Sequence, residues 1–186
     1  SKLALILPNR FLDEEVSMKT ELQDLINNCS SELEDIKVRI QKLKLDKAKD
    51  YLTKYALIKA SGTIEFVYRS IIADYFETFN IPQINHYLEI TVRTGSLSAS
   101  YDNMAKLLGK FDDDWNKAFT RNVKKINSWA RIKDSSDSLV KNRHLFAHGK
   151  QPTATFEDIY NYYFDCLELV KEFDSVVYNS NNDDSG

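Results

Sequence analysis

The chain has 186 residues, 42% hydrophobic and 28% charged, with a formal net charge of −3; that supplies apolar material for one packed domain and excludes a generally basic nucleic-acid binder. Only five glycines and three prolines are present, which excludes an all-β sandwich or barrel, since those need a turn about every 8–12 residues. Cys29 and Cys166 form no CxxC pair and suit a reducing compartment, and the apolar run Leu3 to Leu7 is too short for a secretory or membrane-spanning segment, so the expectation is an all-α, cytoplasmic protein with no membrane association.

Residues 13–60 are dense in charge. Within them Leu22, Ile26, Cys29, Leu33, Ile36, Ile40 and Leu43 recur at alternating spacings of four and three, a heptad seam. The spacing predicts one long helix, or a helical hairpin broken near Asn27 to Ser31, whose seam packs on the rest of the domain or serves as a dimerisation arm. Residues 1–60 are therefore read as a charged helical segment, 61–178 as a helical bundle and 179–186 as a disordered acidic tail.

A helix over 62–79 carries a wide apolar stripe including Ile64, Val67, Tyr68, Ile71, Ile72 and Phe79, with Gly62 and Glu65 read as its N-terminal cap and Asn80 with Pro82 as its stop. Residues 83–93 alternate like a strand, but a lone strand has no partner in a helical chain, so a helix is predicted. A loop over 94–100 leads to a helix over 101–111. The next helix opens at Asp112-Asp113-Asp114 and carries Trp115, Phe119, Val123, Ile126 and Trp129 as far as about Ile132. Asp134-Ser135-Ser136-Asp137 then reads as the cap of a helix from Ser138 to Ala147, closed by Gly149 in a left-handed turn. Thr155 with Asp158 opens the last helix.

The chemistry concentrates in Asn142-Arg143-His144-Leu145-Phe146-Ala147-His148-Gly149. Histidine transfers protons near neutral pH, and the flat guanidinium of arginine matches a phosphate. From Phe119 to Lys150 the local charge is +6, which leaves −9 for the remainder. Lys124, Lys125, Arg131, Lys133, Lys141 and Lys150 in that stretch are candidate contacts to an RNA backbone. On a single helix Arg143 and His148 project about 140° apart, so they converge only if His148 lies in the cap or if two copies meet. His144 and His148 share a face at a spacing common for metal pairs, but a third ligand would have to come from His86 or from a carboxylate on another helix; no metal and no cofactor are expected. A structural ion pair at Arg143, with the histidines in capping or core roles, is the alternative reading of the same residues.

Arg143 followed by His144, three further residues and His148 resembles the defining R-x4-6-H motif of the HEPN superfamily, with His144 where many members carry asparagine. Gly62-Thr63-Ile64-Glu65 and the opening Thr155-Phe156-Glu157-Asp158-Ile159 resemble the RiboL-PSP-HEPN branch, and these motifs trace the likeness over about residues 55–178. The resemblance implies a helical bundle forming a homodimer with the two motifs facing each other. It implies a metal-independent endoribonuclease of a toxin–antitoxin or phage-defence system, with an antitoxin or sensor as a further partner. By carry-over His148 is general acid or base, Arg143 stabilises phosphorane charge and His144 orients the phosphate, with Asn142 supporting and Glu65 a candidate partner for Arg143 or a plain helix cap. A non-catalytic module binding RNA, nucleotide or a partner protein is the alternative, as is a helical adaptor built on the Leu22–Leu43 seam.

Overall fold

The computed structural model describes residues 17–43 and 47–179. Among them are seven α-helices and no strand: α1 (Thr20–Lys42), α2 (Lys47–Glu77), α3 (Pro82–Leu88), which continues as a π-helical turn over Glu89–Arg93, α4 (Tyr101–Phe111), α5 (Asp113–Val123), α6 (Trp129–Ala147) and α7 (Phe156–Asn179). None of these helices is long and apolar enough to cross a membrane. The predicted acidic tail beyond 179, and the part of the long first helix before residue 17, lie outside the described residues.

The core is built on α2 and α7. Their aromatic pairs, Tyr68 with Phe173 at 5.6 Å and Tyr75 with Tyr178 at 5.7 Å between ring centroids, set the two helices parallel. Ile64, Val67, Tyr68, Ile71 and Ile72 are fully buried, as the apolar stripe predicts; each such side chain contributes about 2–3 kcal/mol over its exposed state. Phe79, placed on that stripe by its spacing, falls outside it. The helix ends at Glu77, Asn80 turns left-handed with φ 54°, and Phe79 stays 47% exposed.

The heptad seam is internal. Leu22, Ile26, Cys29, Leu33, Ile36 and Ile40 are all buried against α2 and α7, so the seam packs α1 as a wall of the bundle. The helix predicted from the seam runs unbroken through Asn27 to Ser31 and ends as α1 at Lys42, with α2 starting at Lys47. Those polar residues mostly lie off the seam, and Ser30 closes its hydroxyl locally on the Ile26 carbonyl at 2.8 Å, so helix continuity is kept.

Three predicted boundaries are corrected by tertiary contacts. Gly62 and Glu65 sit in the middle of α2 and cap nothing. The helix opened by Asp112 ends at Val123, short of Ile132, although Asp112 does cap it, accepting from the Asp114 and Trp115 amides at 2.7 and 3.2 Å. Asp134 to Asp137 lie inside α6, which starts at Trp129. Ser135 donates to the buried Asp165 carboxylate at 2.6 Å, and Ser136 receives the Tyr101 amide at 3.3 Å, so these serines tie helices together instead of starting one. Thr155 and Asp158 do form a reciprocal capping box for α7, at 2.8 and 3.2 Å.

One carboxylate in the bundle is poorly compensated. Asp174 accepts a backbone hydrogen bond from Met18, while among the described residues its buried Oδ1 has no partner, and burial pushes its pKa up to about 6. Between the ordinary aspartate range and that value the folded chain binds a proton more tightly than the unfolded chain, so stability rises as pH falls from 7 towards 5. Asp174→Asn removes the buried charge. It is expected to gain about 1–3 kcal/mol in urea unfolding at pH 7.5, with the gain vanishing near pH 4.

Candidate active site

Helix α6 carries the motif and runs antiparallel to α2. Arg143 Nη2 lies 3.7 Å from Glu65 Oε2 in the middle of α2, and the loop after α6 reaches the start of α2, where Gln151 donates to Asp50 at 3.1 Å. The end of α6 is fixed by its own sequence. Gly149 adopts φ 69°, its amide bonds the Phe146 carbonyl at 3.0 Å, and the Lys150 amide bonds the Leu145 carbonyl at 2.9 Å. This is a Schellman closure, open to glycine because a Cβ strains the left-handed conformation. It places His148 at the C-terminal cap, with φ −96° and ψ 21°.

His144 and His148 are exposed, with ring centroids 4.2 Å apart. The Arg143 side chain is 43% exposed, so its guanidinium faces both Glu65 and solvent. Glu65 is the buried partner that the sequence left undecided between an arginine partner and a helix cap, and its mid-helix position removes the second reading. Burial raises its pKa; Arg143, then Arg69, then the Ala99 amide oppose that rise. Arg69, itself buried, bonds the Glu65 carbonyl through Nε at 2.7 Å. It was not among the residues expected here, and its signal is a cation one turn after Glu65 inside an apolar run.

Asn142 supports the site from beneath. Its buried side chain donates to the Ser138 carbonyl at 2.9 Å and accepts from the Thr153 and Ala154 amides at 2.8 and 2.9 Å, pinning the loop that follows the motif. Asn142→Ala strands both amides and is expected to cost about 1–3 kcal/mol. Asn142→Asp, which keeps the acceptor, is expected to retain slow hydrogen exchange at Thr153 and Ala154 where the alanine variant loses it.

The basic residues do not form one patch. Arg131 is held at 2.8 Å by Asp165 and Lys133 at 2.7 Å by Asp137, so much of their charge is answered within the fold. Lys124 and Lys125 are exposed in the turn before α6, separated from His148 by that helix of 19 residues, about 28 Å along its axis. Lys141 and Lys150 are exposed close to the motif. Lys133, Lys141, His144 and His148 project within about 80° on α6, one outward face bearing the ring pair. Among the described residues no group of three His, Cys, Asp or Glu side chains could hold a metal ion, and the histidine pair stands with two ligands.

An all-α bundle bearing an arginine and a histidine with four residues between them, at the exposed end of one helix, defines a HEPN-type domain. Residues 21–179 match the RiboL-PSP-HEPN family model, and the chain belongs to that family. The match begins at residue 21 and so takes in α1, beyond the stretch the motifs alone trace. No curated protein and no solved structure matches the chain at a significant level.

Proposed function

We propose that the protein is a metal-independent endoribonuclease acting as a homodimer, in a toxin–antitoxin or phage-defence setting where a second protein restrains it. HEPN-type domains are commonly ribonucleases, and the observation that carries the reading is the half-exposed Arg143 guanidinium beside the exposed His144–His148 ring pair. Arg143 grips a non-bridging phosphate oxygen, where its charge opposes that building on a pentacoordinate phosphorus. His148 takes the proton from the RNA 2′-hydroxyl. The 2′-oxygen then bonds phosphorus, the bond to the 5′-oxygen breaks, and that oxygen receives a proton from His148 of the second copy. The products are a 2′,3′-cyclic phosphate and a 5′-hydroxyl, and the requirement for a 2′-hydroxyl restricts the substrate to RNA. His144 orients the phosphate, and Lys141 and Lys150 hold the flanking backbone.

The test is incubation of pure protein with single-stranded RNA in excess EDTA, followed by end-group analysis. Cleavage giving cyclic phosphate and 5′-hydroxyl ends is expected. Intact RNA, or products with 5′-phosphate ends, would overturn the proposal.

A further inference from the structure

Helix α2 is buried along most of its length, yet it keeps one open face. Tyr51, Tyr55, Ile58 and Phe66 are 67%, 46%, 42% and 38% exposed there. They project within about 80° of one another, with Gly62 at the centre of the arc. Ile58 and Phe66 stand about one turn to either side of Gly62. Between them the helix backbone is bare, and a Cβ built on Gly62 meets nothing within 4 Å. The result is an apolar cleft of ≈ 470 Å³ that reaches Leu25 on α1, a size found in small-ligand sites. Isolated exposed apolar residues are ordinary, whereas a contiguous row marks a contact surface.

Its charge points to the ligand. Residues 47–60 hold four lysines, Lys47, Lys49, Lys54 and Lys59, against one acid, Asp50, so lysines and tyrosines interleave along this stretch. Lys54 is answered by Asp50 at 2.6 Å and Lys59 by Glu32 at 2.7 Å, while Lys47 is exposed. Lys47 and Lys54 project within about 20° of Glu65, the residue that Arg143 meets at 3.7 Å. The arginine of the motif and two lysines therefore stand along one line of α2. Tyr51 and Tyr55 project about 40° and 80° round from that line. The loop after the motif joins the same end, since Gln151 donates to Asp50, the neighbour of Tyr51, one residue after the exposed Lys150. Single-stranded RNA matches both parts of this surface, with an anionic phosphate and a free apolar base face on every nucleotide. A duplex hides its base faces, and an apolar protein helix matches the row alone.

We infer that this face of α2 is a stacking platform for single-stranded RNA. Tyr51 and Tyr55 carry successive unpaired bases, the cleft at Gly62 takes the base nearest the motif, and Lys47, Lys54 and Lys150 hold phosphates. The inference rests on the ribonuclease reading and names where the strand beside the scissile bond lies. The Tyr55 hydroxyl donates to Glu32 on α1, which fixes its ring before any base arrives. From Glu65 to Tyr51 the helix rises about 21 Å, a span for about four nucleotides, the lower end of single-strand sites. Stacking of this kind tolerates any base, so the platform selects unpaired RNA over duplex and not one sequence over another.

The test is fluorescence anisotropy of a labelled 2′-O-methyl RNA of about 12 nucleotides, which lacks the attacking hydroxyl and stays intact, titrated with the full chain. Tyr51→Ala and Tyr55→Ala are each expected to weaken binding about 5- to 100-fold, the contribution of one stacked base. Tyr51→Phe keeps the ring and is expected to restore the affinity. Lys47→Ala is expected to reduce the slope of log K against log salt by about 0.7, one phosphate contact on a single strand. Lys49→Ala removes the same charge two residues away, at a position about 160° round the helix, and is expected to leave affinity and slope unchanged. All four positions are exposed, so the variants keep the fold, which circular dichroism checks. Tyr51→Ala and Tyr55→Ala proteins that bind as wild type does overturn the platform and leave the row to a protein contact; EDTA-resistant cleavage by wild type then still upholds the ribonuclease chemistry. A wild type that binds no oligonucleotide up to about 100 µM, the weak end of non-specific binding, also overturns the platform. Loss of affinity in both tyrosine variants of a protein that cleaves no RNA upholds the platform and overturns the chemistry instead.

Discussion

Replacing His148 with alanine is expected to lower the rate of RNA cleavage by about 10²–10⁴-fold, the range over which a positioned acid–base group acts. The side chain is exposed, and the cap hydrogen bond at this position runs from the His148 amide to the His144 carbonyl at 3.1 Å, so it survives the substitution. Stability should therefore change by less than about 0.5 kcal/mol, as for other surface substitutions. Arg143 needs a different comparison. Arg143→Ala removes the cation that opposes the burial-driven rise in Glu65 pKa, so part of its effect is on the fold. Arg143→Lys keeps the charge and loses the flat two-pronged donor, which makes it the better probe of phosphate contact. Cleavage should fall in Arg143→Lys with stability near wild type. Pairing Arg143→Ala with Glu65→Gln should restore stability and leave cleavage lost. Rates and urea midpoints on the same preparations decide the matter, and full cleavage by both His148→Ala and Arg143→Lys would sink the assignment.

What the sequence made legible follows from the range of each interaction. The seam of α1, the stripe of α2 and the glycine closure of α6 are local patterns, in which spacing alone says which face is apolar and where a left-handed residue is required. The errors fall where a residue's partner is distant in sequence. Ser135 and Ser136 look like caps because serine caps helices; their partners Asp165 and Tyr101 are 30 and 35 residues away. Gly62 looks like a boundary because glycine disfavours helix interiors, by about 1 kcal/mol, which a 31-residue helix packed along most of its length easily outweighs. At the site, the residue types were legible, as was Glu65 as a candidate partner for Arg143, and the other pairings were not. The spacing of Arg143 and His148 could be measured from sequence, whereas the commitment of Arg131 to Asp165, and of Asn142 to the loop amides, could not.

Arg93→Ala is expected to cost about 3 kcal/mol of stability, the largest loss predicted here for a single side chain. Arg93 lies at the end of the π-helical turn and reaches back to α2, with Nη2 at 2.7 Å from Asp74 and 2.9 Å from Glu77, and Nε at 2.7 Å from Glu89. The Asp74 side chain is 3% exposed, so its charge depends on its partners. Among the described residues, removing Arg93 leaves it the Lys19 ion pair, at 3.0 Å on a side chain 45% exposed, where solvent weakens the attraction. The exposed pair partner gives the contrast: Glu89→Gln should cost less than about 1 kcal/mol. For a chain of 186 residues the Arg93→Ala loss lowers the thermal midpoint by about 6–12 °C. Position separates this effect from the chemistry. Asp74 and Glu77 occupy the C-terminal end of α2, whereas Arg143 pairs at Glu65 and the loop after the motif meets Asp50 near the helix start. At a temperature where Arg93→Ala remains folded, its cleavage rate per molecule should equal that of wild type, and a large drop there would place the clamp in the working of the site instead of in the stability of the bundle.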